Sequence, residues 1–363
     1  MQMKVALLAN AQSIHTCRWA NGLAANGIDV HVISCHPPPP LPNQYDAKVQ
    51  IHILPFYAPF GYFSSAISLR SLLKMLRPDI LNAHYATGYG LLARLCRFKP
   101  LLLSVWGSDI YDFPNKSSVH KWFLKGNLKN ATAIASTSNA MAKEMAKTFA
   151  HDLVFITPFG IDEKLFAPQS NVNTPNKNLT IGTVKTLEHK YGIDTLLHAF
   201  AKAQNSLQQD YNLKLLIAGD GPQKKDLLDL AARLGISDHT TFLGKIPHEQ
   251  VPSVINQMDL FVALSRKESF GVAILEASAC QKAVVVSNAD GPAEVTIDNV
   301  TGIIVKTDDQ VEASAAITKL IRDETLRNMM GINGRKHVLS NYTWSASIDS
   351  MARAYLETIA KFK

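Results

Sequence analysis

The strongest constraint on this chain is a rhythm: short apolar segments alternate with segments of helical period, and the whole pattern runs twice. Residues 4–9 read as a buried strand, 16–26 put Cys17, Ala20, Leu23 and Ala24 on one helical face before Gly27, and 29–34 alternate as a second strand. Strand, helix and strand within about 30 residues make a βαβ unit, whose repetition builds a parallel sheet covered by helices. Further strands are predicted at 49–54, 80–83, 101–105, 133–136 and 154–156, and the proline run at 37–40 is a loop because it has no N–H for a ladder. The rhythm restarts with strands at 180–184, 214–218, 241–243, 260–263 and 284–286 and helices at 192–204 and 223–234. Between the two runs lies 168–178, a polar stretch with Pro168 and Pro175, which is predicted to be a linker.

The expected fold is therefore α/β, with two doubly wound, Rossmann-like domains. Residues 1–167 form the first, 168–178 link it, and 179–345 form the second. Ligands of such sheets bind at the carboxyl ends of the strands, so two domains facing each other would share one cleft. A chain of 363 residues has the length for two cores. Four cysteines far apart, with no C-x-x-C pair, point to neither a zinc ribbon nor a disulfide framework, and a reduced cytoplasmic setting is expected. No apolar run reaches the roughly 20 residues of a membrane-spanning helix, and no signal peptide is expected.

Charge is unevenly spread. Residues 1–160 hold 15 Lys and Arg against 7 Asp and Glu, whereas the remainder holds 22 against 23. The first half thus favours an anionic partner: a lipid leaflet, a lipid-linked phosphate or an acidic polymer, with nucleic acid the weaker option. Lys116, Lys121, Lys125 and Lys129, interleaved with Val119, Trp122, Phe123 and Leu128, read either as a segment lying on the inner face of an anionic membrane or as a core-packed helix with solvated lysines.

The chemistry concentrates in Ser265-Arg-Lys-Glu-Ser-Phe-Gly-Val-Ala-Ile-Leu-Glu276. A strand precedes it, and a helical pattern opens near Phe270 or Gly271. A helix mouth at a strand end aims unpaired N–H groups, here near Ser269, Phe270, Gly271 and Val272, at a pyrophosphate. Glu268 suits sugar hydroxyls and Glu276 the ribose diol, since two carboxylates beside a dianion repel it unless hydroxyls face them.

This Glu-x7-Glu segment resembles the signature of retaining glycosyltransferases of family 4, with the GT-B fold. Pro158-Phe-Gly-Ile-Asp162, Ala218-Gly-Asp-Gly-Pro222 with Gly219 and Gly221, Phe242-Leu-Gly-Lys245, Asn288-Ala-Asp-Gly-Pro-Ala-Glu294 and Gly302-Ile-Ile-Val305 are similar to its other motifs, in the same order. The resemblance implies a nucleotide diphosphate sugar as donor and no cofactor or metal, with Lys185 and Lys190 neutralising the diphosphate and Lys245 in the loop facing the base. It also implies that the C-terminal helix, about 346–363, packs on the first domain. The chain departs from the family in three places: Lys185 where Arg is usual, Trp106 where His is usual, and no glycine in the loop after the first strand, where His15, Thr16 and Arg18 either substitute side-chain donors or form an ordinary helix start.

On the acceptor side, Asp109 is the candidate for orienting or deprotonating a hydroxyl, with a helix cap as the alternative. His15, His84 and Trp106 are its neighbours in the expected cleft. The function so implied is transfer of a hexose or N-acetylhexosamine to a saccharide or lipid-linked acceptor in bacterial surface polysaccharide synthesis. A sugar-nucleotide epimerase of the same fold and a non-catalytic, nucleotide-sugar-binding partner subunit are the alternatives. A nicotinamide dehydrogenase is disfavoured, because no G-x-G-x-x-G follows the first strand.

Overall fold

Short runs of Val, Leu, Ile and Ala between helical segments cannot cover both of their faces alone, and they do so here by pairing in parallel and accepting helices on each side. The computed structural model describes residues 2–37, 45–169 and 177–362, so positions 38–40 of the proline loop and 170–176 of the predicted linker lie outside the described residues. The chain divides into two compact units, Met1–Pro158 with Trp344–Lys363, and Phe159–Thr343.

The first unit runs β1 (Lys4–Leu8), α1 (Ile14–Ala25), β2 (Asp29–Ser34), β3 (Gln50–Ile53), α2 (Gly61–Ser64), α3 (Ala66–Leu76), β4 (Ile80–His84), α4 (Gly88–Cys96), β5 (Leu101–Val105), α5 (Ser108–Tyr111), α6 (Ser118–Asn130), β6 (Ala133–Ser136), α7 (Asn139–Ala146) and β7 (Val154–Ile156). Its sheet is seven-stranded and parallel, in the order β3-β2-β1-β4-β5-β6-β7. The second unit runs β8 (Asn178–Val184), α8 (Ile193–Leu207), β9 (Asn212–Ala218), α9 (Lys224–Arg233), β10 (Thr240–Gly244), α10 (Val251–Asn256), β11 (Leu260–Ala263), α11 (Val272–Ala279), β12 (Ala283–Ser287), α12 (Asp290–Val295), β13 (Gly302–Val305), α13 (Gln310–Arg322) and α14 (Glu324–Asn341). Its six strands are ordered β10-β9-β8-β11-β12-β13. Each predicted strand falls on an observed one.

The last helix, α15 (Trp344–Phe362), belongs to the first unit and packs on α1, β5 and β6. Its Tyr355 is fully buried, and the hydroxyl donates to Asn82 Oδ1 in β4 at 2.9 Å. Asn82 Nδ2 donates to Ser104 Oγ at 2.8 Å and to the Leu102 carbonyl at 3.2 Å, so the amide orientation is fixed. A buried hydroxyl without a partner is costly, and this one finds its partner in the sheet core. The four cysteines are buried and form no disulfide. No described helix is long and apolar enough to cross a membrane.

Tyr355→Phe is expected to lower stability by about 1 kcal/mol, the usual net worth of one buried hydrogen bond, in urea unfolding followed by fluorescence. No loss would mean that shape alone docks α15.

Candidate functional site

In the second unit the strand order reverses beside β8: β9 leaves on one side and β11 on the other. Loops that leave neighbouring strands in opposite directions open a crevice at the carboxyl edge. Lys185 follows β8, Glu268 lies in the loop after β11, and their largely buried side chains form an ion pair across this point. Glu268 Oε2 also accepts from Ser265 Oγ at 2.6 Å, so both carboxylate oxygens are engaged. The Lys185 and Lys190 ammonium groups lie 4.5 and 5.1 Å from the Tyr191 ring centroid, within cation–π range. Lys190 also pairs with Glu188 at 3.1 Å, and its carbonyl accepts from the Arg266 and Lys267 amides. The two lysines and Glu268 therefore occupy one stitched pair of loops.

The glycines shape the same edge. Gly219 has φ +144°, and a Cβ there would overlap the Lys185 carbonyl oxygen, so the backbone after β9 lies directly against Lys185. A Cβ on Gly221 would meet the Leu187 carbonyl in the same way. Gly271, at φ +114°, is the N-cap of α11, with Ser269 and buried Phe270 before it and Val272 as the first helical residue. The helix mouth thus opens at the residue where the sequence placed it. Gly291, at the start of α12, donates its N–H to the Glu268 carbonyl.

Glu276 projects from α11 and is only 6% exposed; its Oε1 lies 3.2 Å from His248 Nε2. His248 comes from the loop after β10, the loop that also carries exposed Lys245, and its ring packs edge-on against Phe166. Sequence reasoning missed this histidine, because only the fold brings position 248 to position 276. It also missed Arg266, which makes a bidentate pair with Asp194 at 2.7 and 2.8 Å and reaches Asp308 at 2.7 Å. Burial would raise the Asp194 carboxyl, but the Arg266 hydrogen bonds and charge outweigh it and hold the group below its usual range. Arg266 thereby clamps the Glu268 loop to the start of α8. Among the described residues, no three His, Cys, Asp or Glu side chains gather as a metal site.

The acceptor-side candidates meet in the first unit. The His84 ring centroid is 4.7 Å from that of Trp106, and His15 meets Trp106 edge-on at 5.8 Å. His84 Nε2 lies 3.0 Å from Asn82 Oδ1. Because Asn82 turns its NH2 to Ser104 and Leu102, that oxygen can only accept, and the proton sits on His84 Nε2. Burial first, and the charge of His15 second, depress the imidazole to about 3. The ring is neutral at any physiological pH.

Two readings need correction. Asp109 is 0% exposed; its Oδ1 accepts from the Trp106 and Gly107 amides at 3.2 and 2.8 Å, and its Oδ2 from Ala86 at 2.9 Å. It is neither an accessible base nor a helix cap, since Gly107 is the N-cap; it ties the loop after β4 to the loop after β5. Residues 14–16 already belong to α1, so Thr16 is buried and offers no loop donor, while Arg18 stacks over the Trp344 ring at 4.6 Å.

Two parallel doubly wound domains, one with two lysines and Glu268 at its switch point, define the GT-B class of sugar-transferring folds. Residues 4–138 match the family described as Glycosyl transferase 4-like, and 167–337 match Glycosyl transferases group 1. The chain belongs to the glycosyltransferases of this family 4 type. It is 25% identical over 358 residues to N-acetyl-alpha-D-glucosaminyl L-malate synthase of Bacillus anthracis, covering 93% of this chain and 91% of that one. It is 27% identical to the capsular polysaccharide biosynthesis glycosyltransferase CapM of Staphylococcus aureus, covering 92% of each. Among solved structures, Anabaena HepE in complex with UDP and glucose superposes with a TM-score of 0.77 at 17% identity, covering 98% of this chain and 100% of that one.

Two measurements test the geometry. Gly219→Ala forces a side chain into the Lys185 backbone at a strained φ and is expected to cost roughly 2 kcal/mol or more, read as a lower denaturant midpoint. For His84, the folded pKa lies below the unfolded value, so stability is lost as pH falls from about 6.5 toward 3. Between pH 6.5 and 5 the loss is about 2 kcal/mol, and a His84→Gln variant should lack this part of the slope. Parallel slopes in both proteins would contradict the neutral assignment.

Proposed function

We propose that this glycosyltransferase is a retaining enzyme that needs no metal or other cofactor and moves a hexose or N-acetylhexosamine from a uridine diphosphate donor. The observation that carries the reading is the Lys185–Glu268 ion pair at the switch point, beside the mouth of α11. A diphosphate gains negative charge as the bond to the sugar breaks, and fixed cations in a partly buried site stabilise it by several kcal/mol. Lys185, Lys190 and the first amides of α11 supply that charge; Lys190 is the more exposed of the two lysines. On donor binding, Lys185 exchanges its Glu268 partner for a phosphate oxygen, which frees Glu268 to accept from sugar hydroxyls. Glu276, buried and already oriented by His248, faces the ribose diol. The acceptor oxygen then bonds to the anomeric carbon on the face the phosphate leaves, and the acceptor proton passes to the departing phosphate oxygen.

The acceptor in this reading is a saccharide or lipid-linked precursor of a bacterial surface polysaccharide; the basic first half and the likeness to a capsule glycosyltransferase support it. Thermal shift against a panel of nucleotide sugars tests the donor: at a hundredfold excess over its Kd, the true donor adds about 2.7 kcal/mol. Glu268→Gln removes the internal competitor for Lys185, so affinity for the nucleoside diphosphate should hold or rise while turnover drops by roughly 10²–10³. A product of inverted anomeric configuration, or a donor isomerised with no acceptor present, would refute the proposal.

A further inference from the structure

One face of the first unit is not finished as a water-facing surface. Phe60, Phe63 and Ile67, on and just before α2 and at the start of α3, are 81%, 60% and 78% exposed. Monomeric proteins rarely leave large apolar side chains side by side in water, so such a ridge marks a contact surface. α4 packs against α2, α3 and α6. From α6 a second apolar strip, Val119 and Trp122, stands more than 60% exposed, while Leu124, Asn127 and Leu128 turn inward. The core-packed reading of this segment therefore accounts for only its inner side. In a parallel sheet the connecting helices run back against the strands, so their first turns stand at the carboxyl edge. Both strips lie in or beside such first turns, at the edge where β4 delivers His84 and where Trp106 follows β5.

Charge decides what covers this face. α2, α3, α4 and α6 carry Arg70, Lys74, Arg94, Lys121, Lys125 and Lys129 and not one Asp or Glu. A second copy packed face to face would oppose like charge to like charge, which is unfavourable. An anionic bilayer meets both properties: it buries the aromatic ridge among acyl chains and sets phosphates against the lysines.

We infer that the α2–α3 ridge and the outer strip of α6 dock this chain on an anionic lipid bilayer, which sets the carboxyl edge of the first sheet against the membrane and selects an acceptor held in that membrane. The docking stands on the surface alone, and only the clause on the acceptor rests on the glycosyltransferase reading above.

The test is co-sedimentation of the whole chain with phosphatidylcholine vesicles, with and without phosphatidylglycerol, alongside Phe60→Ser/Phe63→Ser and Lys121→Gln/Lys125→Gln variants. Wild type should sediment with the phosphatidylglycerol vesicles and much less with phosphatidylcholine alone. The phenylalanine pair should weaken binding roughly tenfold or more, and the lysine pair by about ten- to thirtyfold at low salt. Brominated lipid should quench Trp122, the most exposed of the four tryptophans. Equal sedimentation with neutral vesicles, unchanged binding by the phenylalanine variant, or a wild-type dimer that this variant abolishes would each overturn the inference. Calorimetry with UDP and GDP is the separate control: both variants should bind as wild type does, which shows that they fold. A chain that docks on vesicles but binds neither nucleotide would sink the enzymatic reading and leave the docking intact.

Discussion

Both units depend on one topological constraint, the reversal of strand order beside the first strand of each sheet. In the first unit it falls between β1 and β4, and in the second between β8 and β11. A right-handed crossover cannot place successive strands on both sides of the first without opening a gap at the carboxyl edge. What fills each gap is polar. The second unit presents Lys185 against Glu268 there, and the first presents His15, Trp106 and His84 around its own reversal. The backbone decides where the chemistry sits, and the side chains decide its sign.

The two gaps are finished differently. In the second, two lysines, Tyr191 and Glu268 give a charged lining. In the first, desolvation keeps His84 neutral, and Asp109 is wholly occupied with backbone amides. That gap offers hydrogen bonds and aromatic faces but little charge. The groups at the two reversals thus differ in kind: two lysines and an ion pair in the second unit, a neutral imidazole and aromatic rings in the first.

How much of this was legible in the sequence depends on the range of the interaction concerned. Strands such as β5, β11 and β12 are continuous apolar runs, and their burial on both faces is written in the residues themselves. Lys185, Glu268 and Gly271 sit in motifs whose meaning is local: a strand end, a loop, a helix mouth. His248 and Arg266 are invisible by the same logic, since their partners lie 28 and 72 residues away and nothing nearby announces them. Asp109 misled because an acid in a loop reads as available; only the folded chain shows three amides converging on it. The ridge of α2 and α3 escaped notice for the opposite reason: Phe60, Phe63 and Ile67 look like core residues in sequence, and only the structure shows them largely exposed.

The placement of α15 has a consequence for how the chain is made. The second unit is one continuous stretch, Phe159–Thr343, whereas the first is assembled from two segments that flank it in the chain. Tyr355, which closes the hydrogen bonds of Asn82, is translated more than 270 residues after its partner. During synthesis the first sheet must therefore wait, with one side unsheathed, until the whole of the second unit and then α15 have been made. Maturation of the first unit is thus tied to synthesis of the second, an order set by connectivity alone.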